Sequence, residues 1–179
     1  MKNTNKITLC AIMSALATVI MLVSYFPYLT YAVPAVAGLC IMAVVIEINL
    51  KWAFFSYIVS SVLVFMFAET ESKLLYIFLF GYYPIVKSLI EKIGNQIIEW
   101  IIKLLNFNIS VVLAYFILTK LFMLPLGDFG PLAQYGVIVL LALGNIVFVV
   151  YDIAVSRMSQ FYYYKLHSKV KKYLKIKEK

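Results

Sequence analysis

The stretch that decides the fold, FLFGYYPIVKSLIEK at residues 78–92, starts as an apolar helix and is interrupted at its centre. Pro84 cannot donate a backbone hydrogen bond to the preceding turn, so a kink is predicted there. Gly81 lets a neighbouring backbone or a ligand approach the bend. Lys87 and Glu91 follow one turn apart and can pair near the helix end. The stretch therefore predicts a kinked membrane crossing that ends in charged residues.

The composition of the whole chain is typical of a membrane protein. Hydrophobic residues make up 64% of the 179 residues and charged residues only 13%, against roughly 25% charged in an ordinary soluble domain. At about 20 apolar residues per crossing, a chain this apolar should cross a bilayer several times. The first apolar run is too long for a signal-peptide core, so we interpret it as the first transmembrane helix.

Six apolar runs predict an all-α integral membrane protein with six transmembrane helices. The runs cover about 7–26, 34–50, 52–68, 73–91, 103–124 and 133–155. The predicted organisation is a six-helix membrane domain over 1–156 and a basic cytoplasmic tail over 157–179.

The distribution of basic residues predicts the orientation, since basic loops stay in the cytoplasm. With the N-terminus inside, fourteen of the 16 Lys and Arg residues fall on inner segments, and only Lys73 and Lys120 fall outside. The outer loops carry Glu69, Glu71 and Asp128 instead. We therefore expect a multi-pass protein of the plasma membrane with both termini in the cytoplasm.

The tail from Arg157 to Lys179 holds eight basic residues and one acid. Apolar residues recur at every fourth position beneath its lysine-rich face, at Met158, Tyr162, Leu166, Val170 and Leu174. This pattern predicts a C-terminal basic amphipathic helix that lies along anionic lipid headgroups. A nucleic-acid partner is disfavoured because no recognition fold surrounds the lysines.

Catalysis finds little support in the sequence. The single histidine, His167, lies among tail lysines, so neither a histidine-based triad nor a His-rich metal site can be assembled. Cys10 and Cys40 lie in separate apolar runs without CxxC spacing and are interpreted as small hydrophobes. No Gly-rich phosphate loop is present. We therefore predict no enzyme activity, no cofactor and no metal, and a protein that binds, transports or scaffolds.

Small residues mark one face of the first predicted helix, LCAIMSALATVIM at residues 9–21. Ala11 and Ala15 lie four positions apart, with Ser14 and Thr18 beside them. Such spacing lets two helix backbones approach closely in lipid. The partner could be another protein or the protein's own helices, and the spacing does not choose between them.

A six-helix chain of this size, with cytoplasmic termini and this AxxxA face, resembles the substrate-binding S component of energy-coupling factor (ECF) vitamin transporters. The segments VPAVAGLCIMAVVIE at 33–47 and FGYYPIVKSLIEK at 80–92 also resemble a group of uncharacterised small membrane proteins from Gram-positive bacteria. The resemblance implies that the face of Ala11 and Ala15 docks onto a coupling transmembrane subunit that is driven by two ATPase subunits. It also implies a substrate site in the outward half, under the loop that joins the first two helices.

Depth and residue type select the candidate contacts to a small-molecule substrate such as a vitamin or its precursor. They are Tyr25, Tyr28, Tyr31, Tyr76, Tyr82, Tyr83, Gln134 and Asn145. Polar groups at mid-depth must be satisfied by helices, water or substrate, so a structural role stays open for each. The main alternative is a scaffolding membrane protein of the cell-envelope machinery, similar in size and helix count to the rod-shape determinant MreD, which needs no pocket.

Overall fold

The computed structural model describes residues 3–26, 28–120 and 133–173, without the side chains of 115, 118–120, 133–140, 171 and 173. These residues form eight α-helices. They are α1 Asn3–Leu22, α2 Ala32–Glu47, α3 Leu50–Phe67, α4 Thr70–Leu75, α5 Tyr83–Ile90, α6 Gln96–Lys120, α7 Ala133–Lys165 and α8 His167–Tyr173. A 3-10 turn, Val23–Tyr25, extends α1, and a π-helical segment, Tyr76–Phe80, joins α4 to α5. No strand occurs in these ranges, so the all-α prediction is confirmed.

Five helical stretches of the described chain are long and apolar enough to cross a membrane. They are Asn3–Tyr25, Leu50–Phe67, Thr70–Ile90, Gln96–Ala114 and Leu141–Lys165. The apolar helix α2 has only 16 residues, fewer than the roughly 20 that a crossing needs. The architecture is compatible with a membrane protein. The sixth crossing, the side of each terminus and the plasma membrane stay predictions.

The short helix α2 lies at the centre of the bundle, in contact with α1, α3, α5 and α7. It packs so closely against the π-helical segment that a Cβ atom on Gly38 would lie 2.4 Å from the carbonyl oxygen of Phe80. Only glycine fits this contact, because real Cβ atoms do not approach so near. The side chain of Asn49 then accepts a hydrogen bond from the backbone N–H of Trp52 at 3.1 Å and caps α3.

The sequence predicts a kink at Pro84, and the structure has an interruption just before it, in the form of a π turn. The backbone N–H of Gly81 donates to the carbonyl of Tyr76 at 2.7 Å, five residues earlier. A turn at Gly81 and Tyr82 follows, and α5 begins at Tyr83. Pro84 therefore lies in the first turn of α5, where its missing N–H leaves no helical carbonyl unpaired within that helix.

The long helix α7 passes through the predicted domain boundary at 156/157 and ends at Lys165. Met158, Tyr162 and Leu166 of the predicted apolar stripe line a groove that is completed by residues of α1 and α2. His167, the first residue of α8, places its Nδ1 atom 3.0 Å from Oε1 of Glu47 at the end of α2. The first turns of the tail thus lie against the helix bundle.

Candidate functional site: a buried charge cluster

Three charged side chains from three helices meet inside the bundle. Lys87 of α5, Lys103 of α6 and Asp152 of α7 are only 5%, 4% and 3% exposed. The ammonium group of Lys87 contacts Oδ1 of Asp152, and that of Lys103 lies 3.2 Å from Oδ2. Charges in an apolar interior are costly unless they are paired. Asp152 is therefore the counter-ion for both lysines.

Further groups fix the position of Asp152. The hydroxyl of Tyr83 donates a hydrogen bond to Oδ1 of Asp152 at 2.5 Å. The ring of Tyr83 is fully buried and packs edge-on against Phe148, one turn before Asp152, with 5.1 Å between ring centroids. Lys87 also donates to the backbone carbonyl of Asp152 at 3.2 Å. The carboxylate is thus held by hydrogen bonds as well as by charge.

Glu91 completes the group of four charges, which we call the charge cluster (Lys87, Glu91, Lys103 and Asp152). Its Oε1 atom lies 2.9 Å from the ammonium group of Lys87 and 3.1 Å from that of Lys103. The pair of Lys87 and Glu91 that the helical spacing predicts is therefore present. The ammonium group of Lys103 also lies over the ring of Trp100, 5.4 Å from its centroid. Two positive and two negative charges balance within the cluster.

A cleft with a volume of about 120 Å³ adjoins the charge cluster. Its polar lining comes from Lys87 and Ser88 on α5, Glu91 at the C-terminal cap of α5, and Ser159 on α7. Asp152 and Lys103 were not among the residues that the sequence predicts to be functional. The available signal was an aspartate within the apolar run of α7, because ionisable residues inside membrane segments often mark functional positions.

The three predicted outer tyrosines lie at the connection between α1 and α2, and all three are exposed. Tyr28 is 98% exposed and has a positive φ of 70°. The hydroxyl of Tyr25 donates to the carbonyl of Phe67 at 3.0 Å, and that of Tyr31 donates to Oε2 of Glu71 at 3.1 Å. Partial burial and the nearby Glu71 carboxylate raise the pKa of Tyr31. These tyrosines form an aromatic rim at one end of the bundle.

The three predicted inner tyrosines contact three different helices. Tyr76 is fully buried, and its hydroxyl lies 2.8 Å from Oγ of Ser60 on α3. Tyr82 is half-buried, and its hydroxyl contacts Oγ of Ser110 on α6. Tyr83 reaches Asp152 on α7. The structure therefore does not bring these hydroxyls together in one site.

The predicted amide on α7, Asn145, pairs with Asn108 on α6. Their side chains exchange two hydrogen bonds, with N–O distances of 3.0 and 3.1 Å. Asn145 also donates to the carbonyl of Leu141 at 2.7 Å. Gln134 lies near the start of α7, and its side chain is outside the described residues.

The face of α1 that carries Ala11 and Ala15 points away from the bundle, and both alanines are exposed. The opposite face is buried, and there the hydroxyl of Ser14 lies 2.7 Å from that of Ser56 on α3. Ala17 on the buried face has no exposed area. The alanine face therefore does not pack against the described helices of this chain.

No protein-family model, curated protein or solved structure matches this chain at a significant level. Within the ranges that the structure describes, no three His, Cys, Asp or Glu side chains converge as metal ligands would.

Proposed function

We propose that this protein is the substrate-binding membrane subunit of an ECF-type importer for a small micronutrient, a vitamin or its precursor. The observation that carries the proposal is the outward orientation of Ala11 and Ala15 on α1. A small-residue face that no described helix of the chain covers is suited to close contact with a helix of another membrane protein. In this proposal the partner is the coupling transmembrane subunit, which is driven by two ATPase subunits.

The proposed topology has six plasma-membrane crossings, with α2 as the second crossing and both termini in the cytoplasm. The connection between α1 and α2 then faces the outside, together with Tyr25, Tyr28 and Tyr31. Because these tyrosines are exposed whereas Tyr76 and Tyr83 are fully buried, the outer three are the first groups that an incoming substrate meets. The inner tyrosines and Asn145 would contact substrate only after exchanging their present hydrogen-bond partners.

A scaffolding role in the cell-envelope machinery is the second candidate, and a specific observation favours it. The side chains of Tyr76, Tyr82, Tyr83 and Asn145 all have hydrogen-bond partners on neighbouring helices. A bundle that only holds other proteins needs such internal pairing and no ligand pocket. The two candidates therefore predict different partners and different ligand behaviour.

Isolation of the tagged protein from its native membrane in mild detergent tests the proposal. We expect a coupling membrane subunit and two ATPases to co-purify with the protein. This co-purification should be lost when Ala11 or Ala15 is replaced by a bulky residue. Stable recovery of cell-wall synthesis proteins without any ATPase would contradict it and favour the scaffold. A variant with Val62→Trp, on an exposed face of α3, is the control for a bulky surface substitution elsewhere in the bundle.

A further inference from the structure

Glu91 is the exposed member of the charge cluster. Its side chain is 43% exposed, whereas those of Lys87, Lys103 and Asp152 are 6%, 6% and 4% exposed. A single oxygen of Glu91 lies within 3.1 Å of both ammonium groups. The carboxylate of Glu91 therefore covers the two lysines at the surface of the bundle.

The backbone that carries Glu91 lies at a helix end. Glu91 is the C-terminal cap of α5, and every residue from 91 to 98 is exposed. The connection to α6 turns at Gly94, whose φ of 74° lies in the left-handed region that favours glycine. Asp152, in contrast, lies in the interior of α7 with its neighbouring turns packed. Glu91 can therefore leave the lysines without disturbing the packed helices, and Asp152 cannot.

The cleft beside Glu91 is small, and its polar groups lie among an otherwise apolar lining of Met42, Val45, Ile46, Pro84 and Val155. Its volume of about 120 Å³ is below the roughly 300–1,000 Å³ of pockets for drug-sized ligands. Ser88 and Ser159, which carry hydroxyl groups, line it together with Lys87. Lysine and hydroxyl donors are the groups that bind carboxylate and phosphate oxygens.

We propose that the charge cluster is a binding site for a small anion, a carboxylate or a phosphate group, and that Glu91 is its internal competitor. With Asp152 fixed, Lys87 and Lys103 keep one unbalanced positive charge. Either the carboxylate of Glu91 or an acid group in the cleft neutralises it. An incoming anion replaces Glu91 on the lysines and accepts hydrogen bonds from the serine hydroxyls, while Asp152 stays in place.

Removing a competitor changes the affinity of the site for a free anion, whereas removing a structural counter-ion changes only the stability of the fold. Replacing Glu91 by glutamine removes the competing charge and leaves both lysines, so the affinity for a free anion should rise. If Glu91 only stabilises the fold, the same substitution lowers stability and changes no anion affinity. The direction of the anion response therefore decides between the two roles.

The test uses the full chain in phosphatidylcholine nanodiscs. Thermal unfolding is measured while inorganic phosphate or acetate is added, and potassium chloride at equal ionic strength serves as the control for a general salt effect. Glu91→Gln should bind phosphate or acetate at least about tenfold more tightly than the wild type. Glu99→Gln is the matched control, because Glu99 lies near the start of α6 and accepts a hydrogen bond from Gly94 rather than from a lysine. Adding Lys103→Met to Glu91→Gln should abolish the gain.

A second arm distinguishes a free anion from an anionic lipid headgroup, which shares the same chemistry. In nanodiscs that contain phosphatidylglycerol, native mass spectrometry should show more retained phosphatidylglycerol on Glu91→Gln than on the wild type if the headgroup is the ligand. Equal responses of the two proteins in both arms would overturn the proposal. If Glu91→Gln is not recovered folded, Glu91→Asp is the substitute variant, because its side chain is one methylene shorter and draws the carboxylate away from the lysines. A folded Glu91→Asp variant that binds anions no better than the wild type would also overturn the proposal.

Discussion

The hydroxyl of Tyr83 donates a hydrogen bond across 2.5 Å to the carboxylate of Asp152, which lies 69 positions later in the chain. This bond connects α5 to α7. The same carboxylate holds the ammonium groups of Lys87 and Lys103. One buried aspartate thus joins three helices.

Loss of the Asp152 charge should therefore be strongly destabilising. Asp152→Asn leaves two buried lysines with only the half-exposed Glu91, and removal of one partner of a buried ion pair typically costs about 3–5 kcal/mol. Thermal unfolding in detergent should show a large fall in the midpoint temperature. The combined variant Lys87→Met and Asp152→Leu leaves Lys103 paired with Glu91 and should recover part of the loss. Unchanged unfolding of Asp152→Asn would contradict this account.

The amide pair of Asn108 and Asn145 should couple α6 to α7 modestly. Interhelical polar contacts in membranes have coupling energies that average about 0.6 kcal/mol and reach about 1.7 kcal/mol. A double-mutant cycle with Asn108→Ala and Asn145→Ala, measured by unfolding in mixed micelles, should give a value in this range. If the losses of unfolding free energy in the two single variants add up to the loss in the double variant within about 0.3 kcal/mol, the two amides do not stabilise each other.

Bulky substitutions on α1 should act differently on its two faces. Ala11→Trp or Ala15→Trp should leave the isolated protein folded, because both positions are exposed, but should remove co-purification with the coupling subunit. Ala17→Trp should unfold the protein, because Ala17 has no exposed area and overpacking a core destabilises it. Retained co-purification with tryptophan at both exposed positions would remove the main support for docking through this face.

The predicted orientation can be checked by labelling with an impermeant thiol reagent on intact cells. Glu71→Cys should react from outside and Asn95→Cys should not. Both positions are exposed in the structure, so a lack of reaction reports the membrane side rather than burial. Ser72, the next residue, is fully buried and would be a poor reporter. Cys10 and Cys40 are buried, which keeps background labelling low. Reaction at position 95 alone would reverse the topology.

The sequence by itself was sufficient for the features that depend on local pattern. Apolar runs indicated helices and the membrane environment, because the hydrophobicity of a segment is a property of its own residues. The interruption near Pro84 and the pairing of Lys87 with Glu91 were also predictable. Both follow from backbone chemistry and from the geometry of residues one helical turn apart.

Only the tertiary structure decided which helix each polar side chain contacts. Tyr82 and Tyr83 are neighbours in sequence, yet one contacts Ser110 and the other Asp152. That difference depends on the rotation of each helix about its axis, which is set by packing against helices far away in the chain. Lys87 and Asp152 are 65 positions apart, and no periodic pattern in the sequence between them indicates their contact.

The outward direction of Ala11 was likewise open from the spacing alone, because small residues serve contacts within a bundle and between proteins equally well. The structure decided it through the opposite face of α1, where the hydroxyl of Ser14 meets Ser56 on α3. Because α1 packs against the other described helices through the face that carries Ser14, Ala11 and Ala15 on its other side stay exposed.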